Sequence, residues 1–212
     1  MADLPFIHRF EAGARSGARP LLVLHGTGGD ENDLVPLARA VAPGAPLLSP
    51  RGKVLENGMP RFFRRLAEGV FDAEDVRRRA HELADFVVAA RAAYDISAPI
   101  AFGYSNGANI AAAVMLLRPE VLAGAVLLRA MVPLTEPVAS TALAGRNVLV
   151  LSGVRDPIIP PGNAGELAAL LERAGAGVEH RSLMAGHELT QADVTLARQW
   201  LENDAAGLRA AS

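Results

Sequence analysis

The chain has 212 residues, half of them hydrophobic, with a formal charge of −2 and no cysteine. The near-balanced charge removes any compositional case for nucleic acid or an anionic membrane surface as partner. Without cysteine there can be no disulfide, thiol nucleophile or thiolate metal site, and no apolar run approaches the length of a membrane span.

In chain order, Pro5 to Glu11 reads as an edge strand, and the apolar run Pro20-Leu21-Leu22-Val23-Leu24 as a buried strand ending in His25-Gly26. A helix is predicted from Glu31 to Val41, with Asp30 as its cap, and a strand at Leu47-Leu48-Ser49-Pro50. A long loop, Arg51 to Val70, carries Gly52, Gly58 and Pro60. Asp72 to Ala93 is then a long amphipathic helix with Val76, Leu83, Phe86, Val87 and Ala90 on one face. Pro99-Ile100-Ala101-Phe102 precedes Gly103-Tyr104-Ser105-Asn106-Gly107, and a helix-forming run follows from Ala108 to Leu117. Strands are predicted at Ala123 to Leu128, Asn147 to Leu151 and Val178 to Leu183, and helices at Pro161 to Gly175 and Thr190 to Asn203. Alternating strands and helices imply an α/β fold with a mostly parallel sheet covered on both faces. One domain is expected over 1–204, with the small polar tail 205–212 fraying. Met1-Ala2-Asp3-Leu4-Pro5 lacks the basic segment and apolar core of a signal peptide, so a cytoplasmic location is expected.

The G-x-S-x-G sequence at 103–107 sits between a strand and a helix, the context of a nucleophile elbow. There a sharp turn lifts the serine hydroxyl clear of the sheet, and small residues are needed where helix and strand approach. The rival reading is an ordinary strand-to-helix turn with a capping serine. A serine needs a base to take its proton. In the Ser, Asp/Glu, His order of this fold, the base follows the nucleophile, and only His180 and His187 do so. His180 lies inside a predicted strand. His187 follows that strand on a loop opening a helix, and is the candidate base. Asp156, in Gly153-Val154-Arg155-Asp156-Pro157, is the only aspartate between Ser105 and His187 and lies just past a strand end. It is the candidate orienting acid, against the alternative of an Asp-Pro turn residue. Backbone N–H groups of Thr27, in His25-Gly26-Thr27-Gly28-Gly29, and of Asn106 are the candidate oxyanion donors. The glycine-rich segment lacks both the G-K-[ST] ending of a P-loop and the spacing of a dinucleotide fingerprint. No histidine and carboxylate cluster has metal-ligand spacing, so neither metal nor cofactor is expected.

With these residues in place, the chain resembles the phospholipase/carboxylesterase family of α/β hydrolases, which includes acyl-protein thioesterases. The resemblance spans roughly residues 5 to 203. It rests on His25-Gly26-Thr27-Gly28, Gly103-Tyr104-Ser105-Asn106-Gly107, Gly153-Val154-Arg155-Asp156-Pro157 and Gly186-His187. The segment Ser49-Pro50-Arg51-Gly52 through Met59-Pro60-Arg61-Phe62-Phe63-Arg64-Arg65 is most similar to a small bacterial carboxylesterase branch. Thioesterase members have Gln after the nucleophile, where this chain has Asn106. The resemblance implies a serine carboxylesterase and is compatible with a homodimer, and the short chain leaves little room for a lid domain, so that small to medium esters are the expected substrates. The alternatives are an acyl thioesterase or lysophospholipase-type hydrolase, a dienelactone-type hydrolase, or a binding protein that keeps the fold without turnover.

Phe62, Phe63, Met131, Val132, Leu134, Ile158 and Ile159 are the candidate pocket residues, with burial in the core as the alternative for each. Arg61, Arg64 and Arg65 could attract a substrate carboxylate or lie in solvent. Only one of the 21 basic residues is lysine, which indicates coding bias and lowers the weight of arginine clusters. Arg77-Arg78-Arg79 reads as a solvated helix face.

Overall fold

Short aliphatic runs pass through the molecule as strands, with helices returning the chain between them. The structure is a computed structural model that describes residues 4–15, 17–135 and 139–210. In order, these are β1 (His8–Glu11), β2 (Leu21–Leu24), α1 (Val35–Val41) and β3 (Leu47–Pro50), then two hairpins. The first pairs β4 (Val54–Glu56) with β5 (Met59–Arg61), and the second pairs β6 (Arg65–Ala67) with β7 (Val70–Phe71). α2 (Ala73–Tyr94), β8 (Ile100–Tyr104), α3 (Asn106–Leu117), β9 (Gly124–Leu128) and β10 (Asn147–Gly153) follow. α4 (Asn163–Arg173), β11 (Gly177–Leu183) and α5 (Gln191–Ala210) complete the described chain.

The seven long strands form one sheet in the order β1-β3-β2-β8-β9-β10-β11. β1 pairs antiparallel with β3 at the edge, and the remaining neighbours are parallel. Both faces are covered. Leu22, Leu24, Ala101, Leu127 and Val150 pack with α2, α3 and α4 on one side. Their sequence neighbours Leu21, Val23, Phe102, Val126 and Leu151 pack with α1 and α5 on the other. Successive strand residues point to opposite faces, so strands buried on both sides read as unbroken apolar runs. This is the α/β-hydrolase arrangement expected from the sequence, and the predicted face of α2 is buried throughout.

From β2 the chain moves outward to β3, and β8 then returns on the other side of β2. The strand order therefore reverses between β2 and β8, and the loops after these strands open on one crevice at the carboxyl edge of the sheet.

Three local features differ from expectation. α1 begins at Val35 rather than Glu31. Asp30 Oδ1 accepts the N–H of Asn32 at 2.7 Å, which makes a turn of the segment where a helix start was expected. Pro36 then occupies the first helical turn, where its missing N–H costs nothing. The segment 51–70 is two hairpins rather than a long loop. Asn57 and Gly58, at φ 52° and 80°, supply the left-handed turn that closes the first. α5 continues to Ala210, beyond the expected end at Asn203. Residues 1–3 and 211–212, on which the N-terminal reading and the end of the tail partly rest, lie outside the described residues. Among the described residues, no helix is long and apolar enough to cross a membrane.

Candidate active site

Ser105 joins β8 to α3 with φ 52° and ψ −116°, a conformation unfavourable for a residue with a Cβ. Its backbone N–H is fixed by the carbonyl of Leu128 at the end of β9, 2.8 Å away. The turn closes because its neighbours are glycines. A Cβ on Gly107 would overlap the carbonyl of Leu24, and one on Gly103 would come within 2.8 Å of the Ala108 backbone. The elbow thus wedges α3 directly against β2 and β8.

The structure brings Ser105, His187 and Asp156 together from three loops, across sequence separations of 82 and 31 residues. Nε2 of His187 lies 2.9 Å from Oγ of Ser105, and Nδ1 lies 2.8 Å from Oδ2 of Asp156. Oδ1 of Asp156 accepts the N–H groups of Ile158 at 2.9 Å and Ile159 at 3.2 Å. One carboxylate oxygen is thereby held by backbone, leaving the other for the histidine. The Asp156 side chain is 2% exposed and that of His187 is 17% exposed. With the ring proton on Nδ1, Nε2 is free to accept the serine proton. His180 is elsewhere. It stands on the exposed face of β11, with Nε2 2.9 Å from Oγ of Ser152, and partial burial lowers its pKa.

Ser105 and His187 open into a cleft of about 360 Å³, whose lining includes Thr27, Asn106, Met131, Ile158 and Ile159. The oxyanion candidates Thr27 and Asn106 therefore share the cleft with Ser105, Asn106 as the first residue of α3. Asn106 thus stands at the positive end of that helix.

The other pocket candidates are not on this surface. Phe62 and Phe63 are buried at 3% and 0% exposure, packed under the hairpins, Phe62 against the His25 ring at 4.7 Å and Phe63 edge-on to Phe71 at 5.1 Å. Leu134 is a core residue. Val132 packs against the same core, its N–H bonded to Oδ1 of Asn163 at 2.9 Å.

The three arginines of the hairpin segment separate. Arg61 is buried against the cleft, with Nη1 donating to Oγ1 of Thr27 at 2.8 Å and Nε 3.2 Å from Glu56. Burial lowers its pKa, partly offset by Glu56. Arg65 also lines the cleft and pairs with Glu56, whereas Arg64 is exposed and pairs with Asp72. Arg78 and Arg79 on α2 are ion-paired with Asp75.

His25 proves to be a buried loop fastener. Its Nδ1 donates to the carbonyl of Gly26 at 2.6 Å, and Nε2 accepts the N–H of Gly52 at 3.0 Å, tying the Thr27 loop to the segment after β3. Burial pushes its pKa down, which favours the neutral ring.

Sequence reasoning did not single out Tyr104, Asn109 or Arg129, all of which line the cleft. Tyr104 Oη donates to the carbonyl of His187 at 3.1 Å, and Oδ1 of Asn109 accepts the N–H of Met131 at 2.7 Å. Arg129 follows β9 immediately, a strand-end position that the sheet topology marks out for function. Among the described residues, no group of three or more His, Asp or Glu side chains could hold a metal ion.

No protein-family model matches the chain. It is 44% identical over 195 residues to MhqD of Bacillus subtilis (strain 168), whose name assigns it a hydrolase activity by inference. The match covers 91% of this chain and 96% of that protein. The Bacillus cereus carboxylesterase structure superimposes with a TM-score of 0.91 at 45% identity, covering 94% of this chain and 95% of that one. A carboxylesterase from Mesorhizobium loti gives 0.88 at 35% identity, over 95% and 97% of the two chains. The chain belongs to the phospholipase/carboxylesterase family of α/β hydrolases, on its bacterial carboxylesterase branch.

Proposed function

We propose that the chain is a serine carboxylesterase that hydrolyses small to medium carboxylic esters through an acyl-enzyme on Ser105. The observation that carries this reading is the continuous hydrogen-bond chain from Ser105 Oγ through His187 to Asp156, at the floor of an open cleft. As Oγ attacks the ester carbonyl carbon, its proton passes to Nε2 of His187, and Asp156 stabilises the imidazolium so formed. The carbonyl oxygen, now anionic, accepts the N–H groups of Thr27 and Asn106. The tetrahedral intermediate collapses by breaking the bond to the alcohol oxygen, which takes the proton from His187. Water then attacks the acyl carbon, again giving its proton to His187. Release of the acid returns that proton to Ser105.

The cleft volume, at the low end for small-molecule sites, supports short and medium acyl groups over long lipid chains. Met131, Ile158 and Ile159 give it an apolar side for the acyl chain.

The test is hydrolysis of p-nitrophenyl esters from acetate to palmitate, with Ser105→Ala in parallel. Turnover of short chains that disappears in Ser105→Ala is the expected result. Exclusive turnover of long chains or thioesters would overturn the substrate assignment, and equal inertness of both proteins would overturn the enzyme assignment.

A further inference from the structure

Among the described residues, Arg129 is one of the largest fully buried side chains, and it adopts φ 55°, a left-handed conformation that arginine seldom occupies. Its backbone N–H is held by the carbonyl of Leu151 on the neighbouring strand, at 2.9 Å. The guanidinium is spent on the segment that carries His187. Nε donates to the carbonyl of Gly186 at 2.8 Å and Nη2 to that of Glu188 at 2.9 Å, the residues on either side of the histidine. The carbonyl between them, that of His187 itself, is taken by Tyr104 Oη at 3.1 Å. Three successive carbonyls are therefore bonded from the ends of β8 and β9, the strands that carry and anchor Ser105.

Asp193 holds the guanidinium in place. Its oxygens lie 2.7 Å from Nη1 and 3.0 Å from Nη2, a bidentate pair buried on both sides. The same carboxylate accepts the N–H and Oγ1 of Thr190 at 2.8 and 2.9 Å, fixing the start of α5 just after the histidine loop. The nearby carbonyls of Ala185 and Leu183 are bonded by the N–H groups of Arg155 and Val154, beside Asp156.

We infer that Arg129, locked by Asp193, is the positioning residue that holds the His187 loop in register with both Ser105 and Asp156. The inference rests on His187 being the base of the proposed esterase. A planar fork suits the task because it reaches two carbonyls and a carboxylate at fixed angles, which an ammonium cannot do. A loop free to shift by about 1 Å would lose the bond to Ser105 or to Asp156, a displacement that costs on the order of 100-fold in rate.

The experiment compares wild type with Arg129→Met/Asp193→Leu, which removes both buried charges together, and with Arg129→Lys, which keeps the ion pair but not the fork. Two readouts are taken on folded protein: kcat and KM on a short p-nitrophenyl ester, and the low-field proton resonance of His187 Nδ1–H, assigned by its loss in His187→Gln. The double variant is expected to lose roughly 100-fold in kcat with KM changed less than about threefold, and to lose the resonance. Arg129→Lys should fall between. A folded variant that keeps wild-type kcat and an unchanged resonance would overturn the inference. So would failure of both variants to fold, since Arg129 would then serve stability alone. If wild type itself turns over no ester, the esterase reading fails, and the resonance still decides whether Arg129 positions His187.

Discussion

The side-chain oxygen of Asn106 accepts the backbone N–H of Phe62 at 2.7 Å, joining the first turn of α3 to the hairpin segment 44 residues earlier. The residue directly after Ser105 is therefore tied to the segment that walls the cleft. Asn106 itself lies on the cleft, and its side chain ties down one cleft wall. The amide Nδ2 has no hydrogen-bond partner, so the tie is the Oδ1 bond alone. Asn106→Ala should leave the buried Phe62 N–H unsatisfied, costing about 1–3 kcal/mol in denaturant unfolding. Because the Asn106 backbone N–H survives, KM should rise more than kcat falls. Steady-state kinetics beside an unfolding curve will show whether the wall has loosened.

Buried histidine contributes to the acid side of stability. His25 Nε2 accepts the N–H of Gly52, and protonating it would set two hydrogens face to face. Burial lowers its pKa from the ordinary value of about 6.5, so the unfolded chain binds the proton first. The stability contribution is complete above about pH 6.5 and is lost as pH falls toward the depressed folded value. His180, also depressed by burial, acts in the same direction. Unfolding free energy should therefore decline from pH 7 to 5. His25→Gln should be less stable at pH 7 and show a shallower decline, with His180 and the depressed carboxylates of Glu11, Glu31 and Asp75 contributing to the slope that remains.

Much of this was legible because chemistry at a sheet's carboxyl edge leaves marks in sequence. Apolar runs located β2, β3, β8, β9 and β10, and the only aspartate between Ser105 and His187 followed one of them. The pocket was less legible. Phe62 and Phe63 lie in the segment that walls the cleft, but pattern alone does not say which face of such a segment is turned inward, and theirs is turned to the core. The hairpins of 51–70 were hidden because their strands are only two or three residues long, too short for periodicity to register. Arg129 was hidden for a different reason. In a chain whose cations are almost all arginine, one more carries little signal, and its role depends on Gly186, Glu188 and Asp193, which only the fold assembles.

The close approach at the elbow admits a direct test. Gly107 packs where a Cβ would overlap the carbonyl of Leu24, at the carboxyl end of buried β2. Neither backbone can yield without moving β2 or α3, so Gly107→Ala should cost about 3 kcal/mol or more. Gly165→Ala is the control, since a Cβ there meets nothing within 4 Å. Within a helix that change should be neutral or stabilising by up to about 1 kcal/mol. Equal stability of the two variants would mean that the elbow is looser than its geometry.

Asp156 distinguishes a working triad from three residues that merely meet. Its Oδ1 is bonded to Ile158 and Ile159, so the carboxylate cannot rotate away from His187 without giving up two backbone bonds. In Asp156→Asn the amide oxygen should stay on those N–H groups and turn its NH₂ toward Nδ1. The ring must then carry its proton on Nε2, facing Ser105, and can no longer accept one from the serine hydroxyl. The shape of the site is retained while the required tautomer is lost, so kcat should fall by about 10⁴-fold with KM little changed. Thermal stability should change far less than activity, because the backbone bonds of the acid loop persist. Reaction of Ser105 with an organophosphonate should slow in parallel with kcat. A variant that acylates at the wild-type rate would show that Asp156 is a turn residue and that His187 acts without it.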